Sequence, residues 1–202
     1  MKTSQNFTLR TMKTIGAFLA LMVTFSISAY APAAGDPTYK VITSSSIKVL
    51  GTSNMHDWDM AADNFSCEGN FNVKNGVLED VSSLSFSLPV TNLKGKESLL
   101  NSRAYKALNS EKHKTITFKL TSATVVPGQK VINANGNLTI SGVTRPVTLK
   151  TNYVVNADQS ITCKGSETLK MSTYGVKAPS FMMGALKTGD QVTIDFVLKL
   201  KN

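Results

Sequence analysis

The sequence predicts an all-β chain: an antiparallel eight-stranded barrel with one crossing helix. Three observations carry that expectation. Apolar and polar residues alternate with period two over most of residues 39–201, as in strands with one dry and one wet face. Tight-turn signals such as Asn75-Gly76 break the alternation at short intervals. Only one stretch, Lys96 to Leu108, spaces its apolar residues helically, with Leu100, Ala104, Ala107 and Leu108 sharing a side.

Taken in order, residues 1–34 read as a secretory signal peptide ahead of a single domain over 35–202. Lys2, Arg10 and Lys13 form a basic start. The apolar run from Ile15 to Ala29 is shorter than the roughly 20 residues of a spanning helix, and small residues follow it. Ala29 and Ala33 both suit cleavage, so the position stays open. An uncleaved anchor is disfavoured because Thr24, Ser26 and Ser28 dilute the run. Strands are expected near 39–51, 65–74 and 77–89, then the helix, then strands near 114–126, 130–141, 144–156, 160–172 and 190–201. A loop holding Gly175, Pro179 and Gly184 joins the last two. Mostly sequential hairpins favour a barrel over a two-sheet sandwich, which needs Greek-key crossovers. Closure also removes exposed sheet edges.

A barrel of this size either packs itself with side chains or holds one small ligand. Strand parity turns Cys67, Gly69, Gly136, Cys163 and Gly165 inward. Such small residues either leave volume or mark bulges and bends, and both readings stand at this point. The two cysteines fall on non-neighbouring strands. A bridge needs Cα atoms within about 7 Å, so free, buried, apolar thiols are expected.

Composition narrows the function classes. Of 202 residues 17% are charged and 42% apolar, which argues against disorder and against a coiled coil. The net charge is +9, but the lysines are scattered singly, and beyond residue 34 only Arg103 and Arg145 remain as arginines. Nucleic-acid readers cluster such residues, so no nucleic-acid partner is expected. Weak contact with an anionic membrane surface fits the charge, and a homodimer stays open. His56 beside Asp57 is the nearest thing to a base with its orienting group. Adjacent strand residues point to opposite faces, however, and no Gly-x-Ser-x-Gly elbow exists, so no enzyme is expected. His56, His113, Met55, Met182 and Met183 lack metal-ligand spacing, so neither metal nor cofactor is expected.

Four stretches resemble one family. They are Ile47 to Trp58, with Gly51-Thr-Ser, His56 and Trp58; Tyr105 to Leu120, ending in Ile116-Thr-Phe118; Gly136 to Val147, with its Gly-x-Leu-Thr-Ile-x-Gly-Val-Thr run; and Tyr174 to Gly184. In this order they resemble the YceI-like proteins. The chain departs at His113-Lys114, where many members carry Tyr-Pro. The resemblance implies an extended, lipocalin-like antiparallel barrel, periplasmic or secreted. It also implies that the barrel binds a long apolar lipid (polyisoprenoid, isoprenoid quinone or fatty-acid-like) for transport or storage. The alternative is an exported barrel with a filled core that acts through its surface in interaction or stress response.

On the carrier reading, parity nominates the ligand-lining side chains. They are Phe71, Leu84, Phe86, Ile116, Phe118, Leu138, Ile140, Met171 and Phe196. Phe181, Met182 and Met183 are expected to form a lid whose flexible thioethers repack around a variable chain. Trp58 is expected at an entrance or as a plug at one barrel end.

Overall fold

Eight strand positions close a ring, and one of them is filled by two short strands laid end to end. The computed structural model describes residues 36–62 and 64–202. The proposed signal peptide, residues 1–34, lies outside the described residues. Among the described residues twelve strands are present: β1 (Thr38–Val41), β2 (Ser46–Ser53), β3 (Trp58–Ala62), β4 (Ser66–Lys74), β5 (Val77–Pro89), β6 (Leu93–Lys94), β7 (Thr115–Val126), β8 (Val131–Ile140), β9 (Val143–Val155), β10 (Ile161–Lys170), β11 (Ser180–Phe181) and β12 (Leu186–Lys201). The helix α1 (Ser98–Ala107) lies between β6 and β7. Antiparallel pairing runs β1-β4-β5-β7-β8-β9-β10-β12 and returns from β12 to β1, closing an eight-membered barrel.

The strand expected over 39–51 is broken into β1 and β2. The run Thr43-Ser44-Ser45-Ser46 supplies the reason, because hydroxyls compete for ladder positions. Ser45 Oγ accepts from Lys199 N at 2.8 Å, taking the donor that a strand would otherwise pair, and lies 3.2 Å from Lys199 O, which still accepts from Ile42 N at 2.9 Å. β2 and β1 nevertheless follow the same edge of β12, opposite residues 188–197 and 200–201.

That break forks the wall. β1 bridges β12 to β4 and seals the ring. Further up, β2 pairs β12 on one side but β3 on the other, and β3 pairs β6. The short strands β3, β6 and β11 are additions to the sequence reading, being too brief to display alternation. At the forked end sit residues 54–57, 90–114, 141–142 and 171–185; the opposite end carries the hairpin turns at 75–76, 127–130 and 156–160. The Asn75-Gly76 turn has φ of 52° and 76°, and Ser141-Gly142 has 49° and 77°. Both pairs show the positive φ values of the type I′ hairpin.

The hairpin end is packed solid. Tyr39, Phe71, Leu78, Tyr153, Ile161 and Leu200 form its buried cluster, and the Tyr39 and Phe71 rings meet edge to face at 5.4 Å. Cys67 and Cys163 belong to the same cluster, both free, and burial pushes both thiols up to about 12. The inward glycines leave no void along the barrel wall. A Cβ on Gly136 would overlap the Phe118 ring, one on Gly165 the Phe196 ring, one on Gly69 the Leu84 side chain, and one on Gly51 the Trp58 ring. Gly165, Gly69 and Gly51 directly oppose those partners across the ladder. At Gly51, Gly136 and Gly165 the missing side chain makes room for an aromatic ring against the wall, a device that supports glycine-containing strands, while at Gly69 it also clears the Ser83 carbonyl. The small inward residues therefore serve packing, and the open volume lies elsewhere.

Candidate functional site

The open volume is a cavity of about 380 Å³ at the forked end. Four groups of residues build it. β2 and β3 contribute Val49, Trp58 and Met60 from one side. Helix α1 and its exit contribute Leu100, Ala104 and Leu108. β10, the segment after it and β12 contribute Leu169, Met171, Val192 and Ile194, while Ile116 and Ile140 project from the tops of β7 and β8. The volume falls at the low end of the roughly 300–1,000 Å³ range of small-molecule pockets.

Helix α1 walls one side of the cavity. No residue of α1 is fully buried. Its inner side packs Leu100, Ala104 and Leu108 toward Met60, Leu88 and Leu93. Two side chains tether it. The Tyr105 hydroxyl lies 2.9 Å and 2.8 Å from the carbonyl oxygens of Thr91 and Leu93, and Asn101 Oδ1 accepts from Gly95 N at 2.7 Å. Trp58 is fixed by its indole N–H, which donates to Thr52 O at 3.1 Å, and by the flat contact over Gly51.

The rim is polar. His56, Asp57, Asp59, Lys96, Glu97 and Arg103 border the opening. His56 Nδ1 lies 2.9 Å from the backbone oxygen of Asp57, and its backbone N–H bonds Ser53 Oγ at 3.2 Å. Its ring is held by main chain, with no hydrogen bond to the Asp57 carboxylate. His113 is a separate feature whose ring packs over Gly142. Among the described residues no three His, Cys, Asp or Glu side chains group so as to hold a metal ion.

One polar feature lies deeper. Tyr174 is 2% exposed and lines the cavity. Burial, then the nearby Glu167 carboxylate, raise its hydroxyl above the usual phenol range, while Arg145 pulls the other way. Glu167 follows Ile161, Cys163 and Gly165 on the inward row of β10, and burial raises its carboxyl. This pair escaped the sequence reading. The signal was present: Glu167 is the one charged residue in an otherwise apolar row from Ile161 to Met171.

The nominated lining residues divide by position. Trp58, Ile116, Ile140 and Met171 border the cavity. Phe118 and Leu138 are buried in the next cluster, with Leu84 and Phe86 packed against them. Phe71 lies in the hairpin-end core, and Phe196 covers Gly165. Parity nominated the whole inward face, but cross-strand packing fills most of it. Met182 and Met183 do not cover the opening: they are 73% and 109% exposed. Pro179 from that loop and Leu186, Lys187 and Thr188 at the start of β12 line the cavity instead. The Phe181 side chain lies outside the described residues.

A family model for the YceI-like domain matches residues 21–200. The chain belongs to the YceI-like family. Solved structures agree with the YceI-like fold. BcnA of Burkholderia cenocepacia is 18% identical, with a TM-score of 0.66 over 79% of this chain and 98% of that one. A polyisoprenoid-binding domain from Saccharophagus degradans, implicated in plant cell wall breakdown, is 13% identical with a TM-score of 0.62 over 81% and 97%. The Campylobacter jejuni YceI protein is 12% identical with a TM-score of 0.55 over 69% and 84%. A comparison with curated proteins gives no match. In this YceI-like barrel the forked wall places the cavity beside α1, and the packed hairpin end gives it a rigid base.

Proposed function

We propose that this protein binds one apolar lipid chain, isoprenoid or fatty-acyl, in the cavity beside α1, and that it carries or stores that lipid outside the cytoplasm. The observation that carries the reading is an apolar cavity of about 380 Å³, ringed by polar groups, at one end of an otherwise filled barrel. The polyisoprenoid-binding relative from Saccharophagus degradans supports the same ligand class. Burying a methylene contributes about 0.8 kcal/mol, so a five-carbon isoprene unit contributes roughly 3–4 kcal/mol gross. Two or three such units offset the costs of association. The cavity accommodates a short length of chain, and a longer tail extends through the opening beside α1.

Organic extraction of the purified protein, followed by mass spectrometry, is expected to yield a prenyl or acyl compound in stoichiometric amount. A clean extract, together with no saturable uptake of prenyl or acyl probes, contradicts the reading. In titrations, removing one isoprene unit from the enclosed part of the tail is expected to weaken binding at least tenfold, whereas changing the head group has a smaller effect. Equal affinities across tail lengths would remove the tail-burial mechanism.

The proposal includes export, with residues 1–34 removed as a leader. Amino-terminal sequencing of the protein from cell fractions is expected to begin at Tyr30 or Ala34 in a periplasmic or secreted fraction. A cytoplasmic protein that retains Met1 contradicts this.

A further inference from the structure

The two methionines expected over the cavity are held away from it. Met182 and Met183 have φ of 51° and 55°, the left-handed region that disfavours side chains other than glycine. Such strain persists only where the surroundings impose it. Here Asn54 clamps the residues that follow the two methionines, and Ala185 N closes the turn on Met182 O at 3.1 Å. Asn54 Nδ2 donates to Ala185 O at 2.7 Å, its Oδ1 accepts from Lys187 N at 2.9 Å, and its backbone N–H donates to Lys187 O at 3.1 Å. The pairing of β11 with β12 completes a braced tip. The bracing presents two large apolar side chains to solvent.

They are not isolated. Met55 and Leu99, at the cavity opening, are 67% and 53% exposed, so four of the seven exposed large hydrophobics among the described residues gather at the forked end. Charge gathers there as well. Segments 54–59, 94–114 and 171–190 hold eight Lys and Arg against five Asp and Glu, and no acid lies between Met171 and Gly189. The turns at the other end, 74–80, 127–130 and 156–160, hold two Lys against three acids. Apolar tips flanked by lysines match an anionic bilayer, where the side chains enter the acyl boundary and the ammonium groups meet the phosphates.

We propose that the forked end docks on an anionic lipid bilayer, with Met182 and Met183 inserted and Lys177 against the headgroups. Docking here brings the cavity opening to the lipid surface. The proposal goes beyond ligand binding, and its test needs no bound ligand, so the two readings fail separately.

The test is flotation of the protein in its processed form, without the basic and apolar leader over residues 1–34 that would itself bind vesicles, with phosphatidylcholine vesicles, with and without phosphatidylglycerol. The wild-type protein is expected to float with the anionic vesicles and to be released as salt rises. M182D/M183D is expected to lower partitioning at least tenfold. A lysine near an anionic surface is worth about fivefold, so K177E, which reverses the charge without altering the tip, is expected to lower it about tenfold or more. V77D, which changes an exposed apolar residue at the hairpin end, is expected to leave partitioning unchanged. Far-UV melting checks that each variant is folded. Failure of wild-type protein to float, equal flotation with neutral vesicles, or unchanged flotation of both M182D/M183D and K177E would overturn the proposal.

Discussion

Replacing Phe71 by alanine is expected to remove about 3–5 kcal/mol of stability, read as a lower denaturant midpoint with an unchanged slope. Phe71 is 2% exposed, meets Tyr39 edge to face, and sits among Leu78, Ile161 and Leu200 at the closed end. The β1–β4 seam has only three residue pairs, so it has few ladder bonds with which to compensate. Affinity for a lipid probe, measured on the remaining folded protein, is expected to stay within about twofold of wild type, because Phe71 does not border the cavity. A stability loss below about 1 kcal/mol would show that this end is not packed as described. A large loss of affinity in folded protein would show that the ligand runs deeper than the cavity.

Ala104→Trp should have the opposite signature. Ala104 faces the cavity from α1, and an indole there occupies space a chain would use. Lipid affinity is expected to fall at least tenfold, a loss of about 1.4 kcal/mol or more. The thermal midpoint is expected to hold or rise, because α1 has no fully buried residue and can shift outward to relieve overpacking. Trp58 on the opposite wall gives a fluorescence readout, though the signal of the introduced indole must be subtracted with an unliganded control. Undiminished binding by this variant would place the ligand outside the cavity. Together the two variants separate the structural end of the barrel from its binding end.

Much of the architecture could be read directly from residue patterns. All eight predicted strand runs occupy positions in the ring, because period-two alternation reports which face of each strand is dry. The turn at Asn75-Gly76 was legible because left-handed backbone restricts the residue choice. The helix was legible from the spacing of Leu100, Ala104 and Leu108. Of the thirteen nominated site residues, Trp58, Ile116, Ile140 and Met171 border the cavity. Leu100, Ala104 and Leu108 were read only as a helix face, since nothing local indicates which barrel end a crossing helix covers.

Residue patterns carried the alternation, the turns and the inward face of each strand, and favoured a barrel over a sandwich; the β1–β12 pairing closes it. Alternation and turns are properties of a residue and its near neighbours. Where that interior is empty depends on contacts between residues far apart in the chain. Whether Gly165 leaves a hole depends on the Phe196 ring some thirty residues away, and whether Ile116 lines a space depends on β2 parting from β4 after the serine-rich break. A void is the failure of distant surfaces to meet, so it is visible only once all of them are in place.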